Sequence, residues 1–258
     1  MKELSLFSLM FIFLLLSSVS YSQETLLEAV EKENVFLVDS LLKNGANANA
    51  KDSNEVYVLF SAASVGNYKI VKMLLDNGAD PNAKNGANGF EALLVAAQNG
   101  YTEVVKSLID KGANVNVQTI TGTALYLSVR EEHIEIVKLL LENGADHEGR
   151  SLTDNNATPL FTASNLGNVE VVKLLLKKGA KIEAKNINGM TALWAASFKG
   201  HIEVVKELLK RGANVNAKTN DGKTLLSSLT FPEGDKDIPI IAGTENIIPL
   251  LKKAGAKR

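Results

Sequence analysis

HIEVVKELLKRGANVNA, residues 201–217, combines the spacing of an amphipathic helix with a turn rich in Gly, Ala and Asn. The helical spacing predicts one buried stripe and one face in water. The predicted buried residues are Val204, Val205, Leu208 and Leu209, and the predicted water-facing residues are Glu203, Lys206, Glu207 and Lys210. Gly212 is expected to end the helix in the left-handed conformation.

Near-copies of this stretch recur along the chain. EIVKLLLENGAD spans 135–146, VEVVKLLLKKGA spans 169–180, and TEVVKSLIDKGANVN spans 102–116. The Gly of the Gly-Ala pair falls at Gly45, Gly78, Gly112, Gly144, Gly179, Gly212 and Gly255, so successive gaps are 33, 34, 32, 35, 33 and 43 residues. A unit of this size cannot bury its own apolar face, and the repetition therefore predicts a stack of units.

Residues 185–217, KNINGMTALWAASFKGHIEVVKELLKRGANVNA, resemble the ankyrin repeat. They contain G-x-T, a short helix of small residues, G-H, and a V-V-x-x-L-L helix that closes on G-A-N. A period near 33 residues is also that of the ankyrin family. The resemblance covers about residues 24–258 and implies an all-α fold, an α-solenoid of stacked ankyrin repeats with helix-turn-helix units and short β-hairpin loops.

The period also sets the expected domain boundaries. They are a signal peptide at 1–22, an N-terminal capping repeat at 23–50, ankyrin repeats at 51–83, 84–117, 118–149, 150–184 and 185–217, and a degenerate C-terminal capping repeat at 218–258. The last repeat contains an insertion around FPEGDKDIPI, in which Pro232, Gly234 and Pro239 are expected to break the helix.

The first helix of each repeat has a predicted cap in only some units. Thr158 and Thr191 are expected to cap their helices, with Pro159 in the first helical position. EVYVL at 55–59 and GFEAL at 89–93 have no Thr at this place. Glu132 replaces the Gly that ends the first helix of its unit, so a non-Gly residue is expected in the left-handed conformation there.

The first 22 residues are different in kind. An apolar run, LSLFSLMFIFLLL, follows Lys2, and Ser20 and Ser22 occupy positions −3 and −1 before Gln23. This order of regions is typical of a secretory signal peptide, so we expect an exported protein that is periplasmic or secreted. The alternative is a membrane anchor that is never cleaved. A lipid anchor is excluded, because the chain has no cysteine.

Composition and motifs argue against catalysis. The formal net charge is −1, which gives no support to a nucleic-acid partner. The absence of cysteine excludes disulfides and thiolate chemistry. GANVNAKT at 212–219 lacks the Gly that a phosphate loop needs before its Lys, and His147 lies beside Asp146 and Glu148 without a second His. We predict no enzymatic activity, no cofactor and no metal.

The resemblance implies binding of another folded protein through the concave face and the hairpin tips. Leu166 and Phe198 are apolar where that face is expected to meet solvent, which marks a contact site. They are expected to occupy equivalent places on adjacent inner helices and to lie side by side. The predicted partner-binding residues are Phe198, Leu166, Trp194, Met190, Ile187, Ser197, Asn165 and Tyr126. The alternative is that Trp194 belongs to the core and that Phe198 folds back over it.

Three functions are compatible with the sequence. The first is an exported, monomeric ankyrin-repeat scaffold for protein–protein interaction. The second is a small-ligand binder or an enzyme that uses the insertion at 230–245. The third is a secreted host-directed effector or immunity factor, which differs from the first only in its destination.

Overall fold

Helices follow one another in pairs along the described part of the chain. A computed structural model describes residues 26–86, 89–230 and 244–257. Its helices are α1 at 26–31, α2 Val35–Lys43, α3 Val58–Val65, α4 Tyr68–Asp76, α5 Ala92–Asn99, α6 Thr102–Asp110, α7 Ala124–Arg130, α8 Ile134–Glu142, α9 Pro159–Leu166, α10 Val169–Lys177, α11 Ala192–Phe198, α12 Ile202–Lys210, α13 Leu225–Leu229 and α14 Ile247–Lys253. We call the odd-numbered helices inner and the even-numbered helices outer. The predicted signal peptide and residues 231–243 of the insertion lie outside the described residues.

The loops that precede the inner helices form short hairpins. Isolated antiparallel bridges join Lys51 to Tyr57, Asn85 to Phe90, Thr119 to Gly122, Ser151 to Ala157 and Lys218 to Thr224. Within the described ranges these bridges do not extend into a sheet. The predicted all-α class, with helix-turn-helix units and short hairpin loops, is therefore confirmed.

Two compact units divide the chain, Met1–Asn114 and Val115–Arg258. In the first unit α3 packs on α5, and α4 packs on both α2 and α6. In the second unit α9 contacts both α7 and α11, and α10 contacts both α8 and α12. Within each unit a helix pair therefore covers the next pair, so that the apolar stripes are buried by neighbours, as in repeat proteins generally.

The outer helix α12 shows how the apolar stripe is buried. Val204, Val205 and Leu208 are buried, whereas Leu209 is only half-buried. The prediction that Glu207 faces water is wrong. Its side chain is buried, and its Oε1 accepts a hydrogen bond of 2.9 Å from Nε of Arg211. This bond satisfies the carboxylate at the edge of the stripe, which is how a charged group is tolerated there.

The helix ends have the caps and left-handed residues that the sequence predicts, with the exception of Thr191. Gly212 and Glu132 have φ values of +84° and +61°, the predicted left-handed conformation. The Thr158 hydroxyl accepts a hydrogen bond from the backbone N–H of Phe161 at 3.2 Å. Thr191 was predicted to cap in the same way, but its side chain accepts no such bond, and its buried hydroxyl has no partner in the described structure.

One side chain per repeat ties the turn after an outer helix to the equivalent turn of the next repeat. The Asn82 side chain donates to the Gly112 carbonyl at 3.1 Å and accepts from the Asn114 N–H at 2.7 Å. The same pair of bonds is made by Asn49, Asn116 and Asn216. The equivalent residues Glu148 and Glu183 accept the N–H bond but, as carboxylates, have no donor for the carbonyl.

Candidate partner-binding site

Trp194 and Phe198 form the centre of the predicted site on α11. They lie one helical turn apart, and their rings stack with centroids 6.2 Å apart and planes inclined by 13°. Trp194 is only 4% exposed, whereas Phe198 is 39% exposed. Burial therefore favours the alternative in which Trp194 belongs to the core. Phe198 packs on it and still offers part of its ring to solvent.

A cavity opens beside this aromatic pair. Its volume is about 400 Å³, and Met190, Trp194 and Phe198 form its apolar wall. The other lining residues are Thr219, Asp221, Lys223, Ser227, Ser228 and Thr230. The buried Nε1 of Trp194 has no hydrogen-bond partner in the described structure. Buried donors are normally paired, so this N–H is an unsatisfied polar group inside the protein, with almost no surface of its own open to solvent.

The polar wall of the cavity carries one ion pair. Asp221 accepts hydrogen bonds from the Thr219 hydroxyl and from Nζ of Lys223, the latter at 3.0 Å. These two interactions, with the Thr219 bond as the larger, hold the pKa of the Asp221 carboxyl below its usual range. The carboxylate is therefore charged at neutral pH, and with Lys223 it leaves this wall close to electrically neutral.

The expected pairing of Phe198 with Leu166 is wrong in register. Leu166 directly precedes Gly167 at the end of α9, whereas Phe198 lies two residues before Gly200. Asn165 is therefore the equivalent of Phe198. One residue of offset turns a side chain by about 100° around a helix. Leu166 is exposed, but it does not occupy the place on α9 that Phe198 has on α11.

Tyr126 and Ser197 were predicted to contact a partner, but in this structure they belong to the core. Both side chains are fully buried. The Tyr126 hydroxyl donates to the carboxylate of Asp154. Burial, together with this hydrogen bond, raises the pKa of Tyr126 to about 12, so the hydroxyl stays protonated at neutral pH. A partner cannot touch either side chain without displacing its neighbours.

The remaining predicted residues lie at or near the surface. Ile187 is exposed at a hairpin tip, and Met190 is half-buried in the same hairpin. Asn165 is half-buried, and its carbonyl lies 3.0 Å from Nε2 of His201 in the next repeat. The structure therefore brings Met190, Trp194 and Phe198 together at one cavity and places Ile187 on the hairpin that leads into α11.

Two exposed aliphatic residues, Ile120 and Leu152, were not among the predicted partner-binding residues. They occupy the same hairpin position as Ile187, one residue after the first paired residue of each hairpin. The signal was available in the sequence, because T-I-T-G, S-L-T-D and N-I-N-G each place an aliphatic residue at a turn where polar residues are usual.

Two further features bear on the kind of site. No group of three or more His, Asp or Glu side chains able to hold a metal ion occurs within the described ranges. None of the helices in those ranges is long and apolar enough to cross a membrane.

Stacked helix pairs joined by short hairpins define a helical repeat scaffold. Comparison with known families identifies the family of repeat. Four overlapping ranges, 11–85, 59–151, 118–186 and 147–219, each match a family model that describes three copies of the ankyrin repeat. The chain belongs to the ankyrin repeat family. It therefore contains a general scaffold for protein–protein interaction, of a class that is typically non-catalytic.

Solved structures agree with this assignment. The crystal structure of the human ASB11 ankyrin repeat domain is 25% identical with a TM-score of 0.72, and the match covers 90% of this chain and 98% of that one. The ankyrin repeat domain of Bcl-3, a member of the IkappaB family, is 26% identical with a TM-score of 0.72, and the match covers 88% and 97% of the two chains. No curated protein matches this chain.

Proposed function

We propose that the protein is an exported ankyrin-repeat scaffold that holds another folded protein, without catalysis, on the inner-helix face and hairpin tips of residues 115–258. The observation that carries this proposal is Phe198, a partly exposed aromatic ring stacked on the buried Trp194 at the mouth of a cavity. An aromatic anchor on a rigid support, with polar groups around it, is the usual composition of a binding hot spot.

The cavity suggests how such an anchor acts. A partner side chain that enters it would pack on Phe198 and Met190. The ion pair of Asp221 and Lys223 is already formed, so it adds little net attraction for a charged group. These features favour an apolar, uncharged partner side chain.

Phe198→Ser combined with Leu166→Ser is expected to reduce recovery of the partner at least about tenfold, because a hot-spot truncation costs about 2 kcal/mol or more. The measurement is quantitative mass spectrometry of pull-downs with the full chain and the variant. Because Leu166 is out of register with Phe198, Phe198→Ser alone is expected to cause most of the loss.

Phe36→Ser is the matched control, since Phe36 is an exposed aromatic residue in the other unit. It should leave recovery unchanged, and all variants should melt within a few degrees of the parent protein. Unchanged recovery with Phe198→Ser would contradict the proposed site. A large fall in melting temperature would show that Phe198 is needed for folding instead.

Export is the second part of the proposal, and it is supported by the apolar run and the small residues of positions 1–22. We expect amino-terminal sequencing of the protein from its host to begin at or within a few residues of Gln23. A chain that starts at Met1 and stays in the membrane fraction would contradict cleavage and favour the uncleaved anchor. Delivery to a host cell, as an effector or immunity factor, would change only the destination.

A small-ligand function is the second candidate, and the cavity favours it because Thr230, the first residue of the 230–245 insertion, lines the wall. A thermal-shift screen of small polar and aromatic compounds separates the two candidates. A compound that stabilises the protein and loses its effect in Phe198→Ser would favour the ligand binder over the protein scaffold.

A further inference from the structure

A buried acidic residue stands at the start of α5 in the first unit. Glu91 is only 2% exposed and directly precedes the helix, in the N-cap position. The equivalent residue is Thr123, Thr158 or Thr224 in later repeats, where the hydroxyl accepts a hydrogen bond from a backbone N–H of the first turn. Glu91 makes no such bond with its side chain. The chain therefore places a carboxyl group where other repeats use a neutral hydroxyl.

The Glu91 carboxyl group has no partner that would compensate for its burial. Its Oε2 is shielded from water and accepts no hydrogen bond in the described structure. None of the ion pairs between described residues includes Glu91. An ionised carboxylate costs far more to bury unpaired than a neutral carboxylic acid does. Burial therefore favours the protonated form of this side chain.

The helices that pack on α5 within the first unit do not bring a compensating charge to Glu91. Helix α5 contacts α3 and α6 there. The sequences of α3 and α5 contain no ionisable side chain. The ionisable side chains of α6 are all exposed, and they are Glu103, Lys106 and Asp110.

The hairpin before α3 also borders this region, since the Tyr57 N–H donates to the Asn85 side chain at 2.7 Å. Its charged groups have partners of their own. Nζ of Lys51 lies over the Tyr57 ring and pairs with Glu55 at 2.7 Å, and the Asp52 carboxylate accepts backbone N–H bonds from its own hairpin. None of these groups pairs with Glu91.

The charges that act on Glu91 are Lys84 and Asp80, which have opposite signs. Burial has the largest effect and raises the pKa of the Glu91 carboxyl above its usual range, while Lys84 lowers this pKa and Asp80 raises it. An unfolded Glu has a pKa of about 4.3. Because the folded protein holds the proton more tightly, the stability linked to Glu91 is present at acidic pH. It is lost as the pH rises above about 4.3 and through the folded pKa.

The first turn of α5 is weakly held, so it can respond to this charge. The Leu94 and Val95 N–H groups donate to the Glu91 carbonyl at 3.0 and 3.5 Å, and the second distance is at the limit of a hydrogen bond. No side-chain cap reinforces the turn. Local opening of this turn would break these two bonds and let the carboxylate reach water.

We propose that Glu91 is a pH-sensitive switch at the start of α5, closed when the side chain carries a proton and locally open when it is ionised. The switch operates whether or not the protein is exported, and whatever the scaffold binds. It differs from the exposed acids of the chain. Asp76, for example, has its pKa lowered to about 2 by hydrogen bonds from Lys111 and Lys72, so the stability that it contributes is lost as the pH falls.

Hydrogen exchange on the full chain tests the local opening. The opening constant of the first turn of α5 is measured by mass spectrometry between pH 5 and pH 8, with correction for the intrinsic exchange rate at each pH. Between these limits it should rise at least about fivefold more in the parent protein than in Glu91→Gln, because an unpaired buried charge shifts an equilibrium by at least this factor. Glu91→Gln keeps the size of the side chain and removes its charge. The same rise in both proteins would overturn the proposal.

Urea denaturation of the full chain gives a second measurement. The midpoint of the parent protein should fall relative to that of Glu91→Gln as the pH rises from 4.5 to 8. Glu91→Thr introduces the hydroxyl that other repeats use, and it should exceed the parent in stability at pH 8. If both variants are less stable than the parent at pH 8, the ionised carboxylate stabilises the fold and the proposal is wrong.

Glu103→Gln is the matched control, because it makes the same chemical change at an exposed position of the same repeat. It should leave the exchange and the urea midpoints of the parent unchanged at every pH. An effect as large as that of Glu91→Gln would show that the pH dependence comes from the net charge of the repeat, and would overturn the assignment to Glu91.

Discussion

Leu208→Ala is expected to lower the free energy of unfolding by about 2–5 kcal/mol, because it removes a fully buried side chain and leaves a cavity. Leu208 lies in α12, which packs against both α10 and α11, so neighbouring helices are too constrained to fill the space completely. The measurement is urea denaturation followed by circular dichroism. Glu203→Ala, on the water-facing side of the same helix, should change stability by less than about 0.5 kcal/mol.

The equivalent residue of α10 gives an internal check on this prediction. Leu175 is fully buried, whereas the adjacent Leu174 is only half-buried. Leu175→Ala should therefore resemble Leu208→Ala, and Leu174→Ala should cost clearly less. Equal losses for Leu208→Ala and Glu203→Ala would mean that the buried face of the outer helices has been misassigned.

Gly189→Ala is expected to destabilise the protein by about 3 kcal/mol, through two costs that act together. Its φ is +77°, where a side chain costs about 1–2 kcal/mol. A Cβ there would also lie 2.6 Å from the backbone nitrogen of Asn220 in the next hairpin, so backbone would have to move. Forced overpacking of this kind typically costs a further 1–3 kcal/mol. Thermal and urea unfolding both measure the loss.

Gly222→Ala is the matched control for this change. Gly222 occupies the same hairpin position one repeat later and has a similar φ of +79°, but a Cβ there would meet no atom within 4 Å. Only the conformational cost remains, so the loss should be about 1–2 kcal/mol. If the two variants lose the same stability, the close approach of the two hairpins does not contribute.

The repeat period predicted most of the fold because it has a direct physical cause. Apolar residues at helical spacing must be covered, and a Gly at a fixed interval marks where each outer helix ends. The sequence misplaced Glu207 and Thr191 for a different reason. Whether a carboxylate is buried beside Arg211, or a Thr hydroxyl turns toward its own helix, depends on side-chain conformations that the pattern does not specify.

The candidate site was predicted less completely. The Ala-Ala pair of α11 was matched to Ala163-Ser164 of α9, which is one residue too late in α9. This match made Leu166, and not Asn165, the apparent equivalent of Phe198. The glycines that end the two helices are the better reference, because their positive φ fixes the backbone position. Tyr126 illustrates a second limit. It shares its alignment position with Trp194, and only the contact with Asp154 reveals that its polar end is already satisfied inside the protein.

Trp194 is the only tryptophan of the chain, and it stacks on Phe198 beside the cavity. Within the described residues its indole N–H has no acceptor, and its ring is nearly shielded from water. The protein therefore has a built-in optical reporter whose emission comes from the candidate site alone. Any molecule that occupies the cavity changes the polarity around this indole, so occupancy can be followed by intrinsic fluorescence on unlabelled protein.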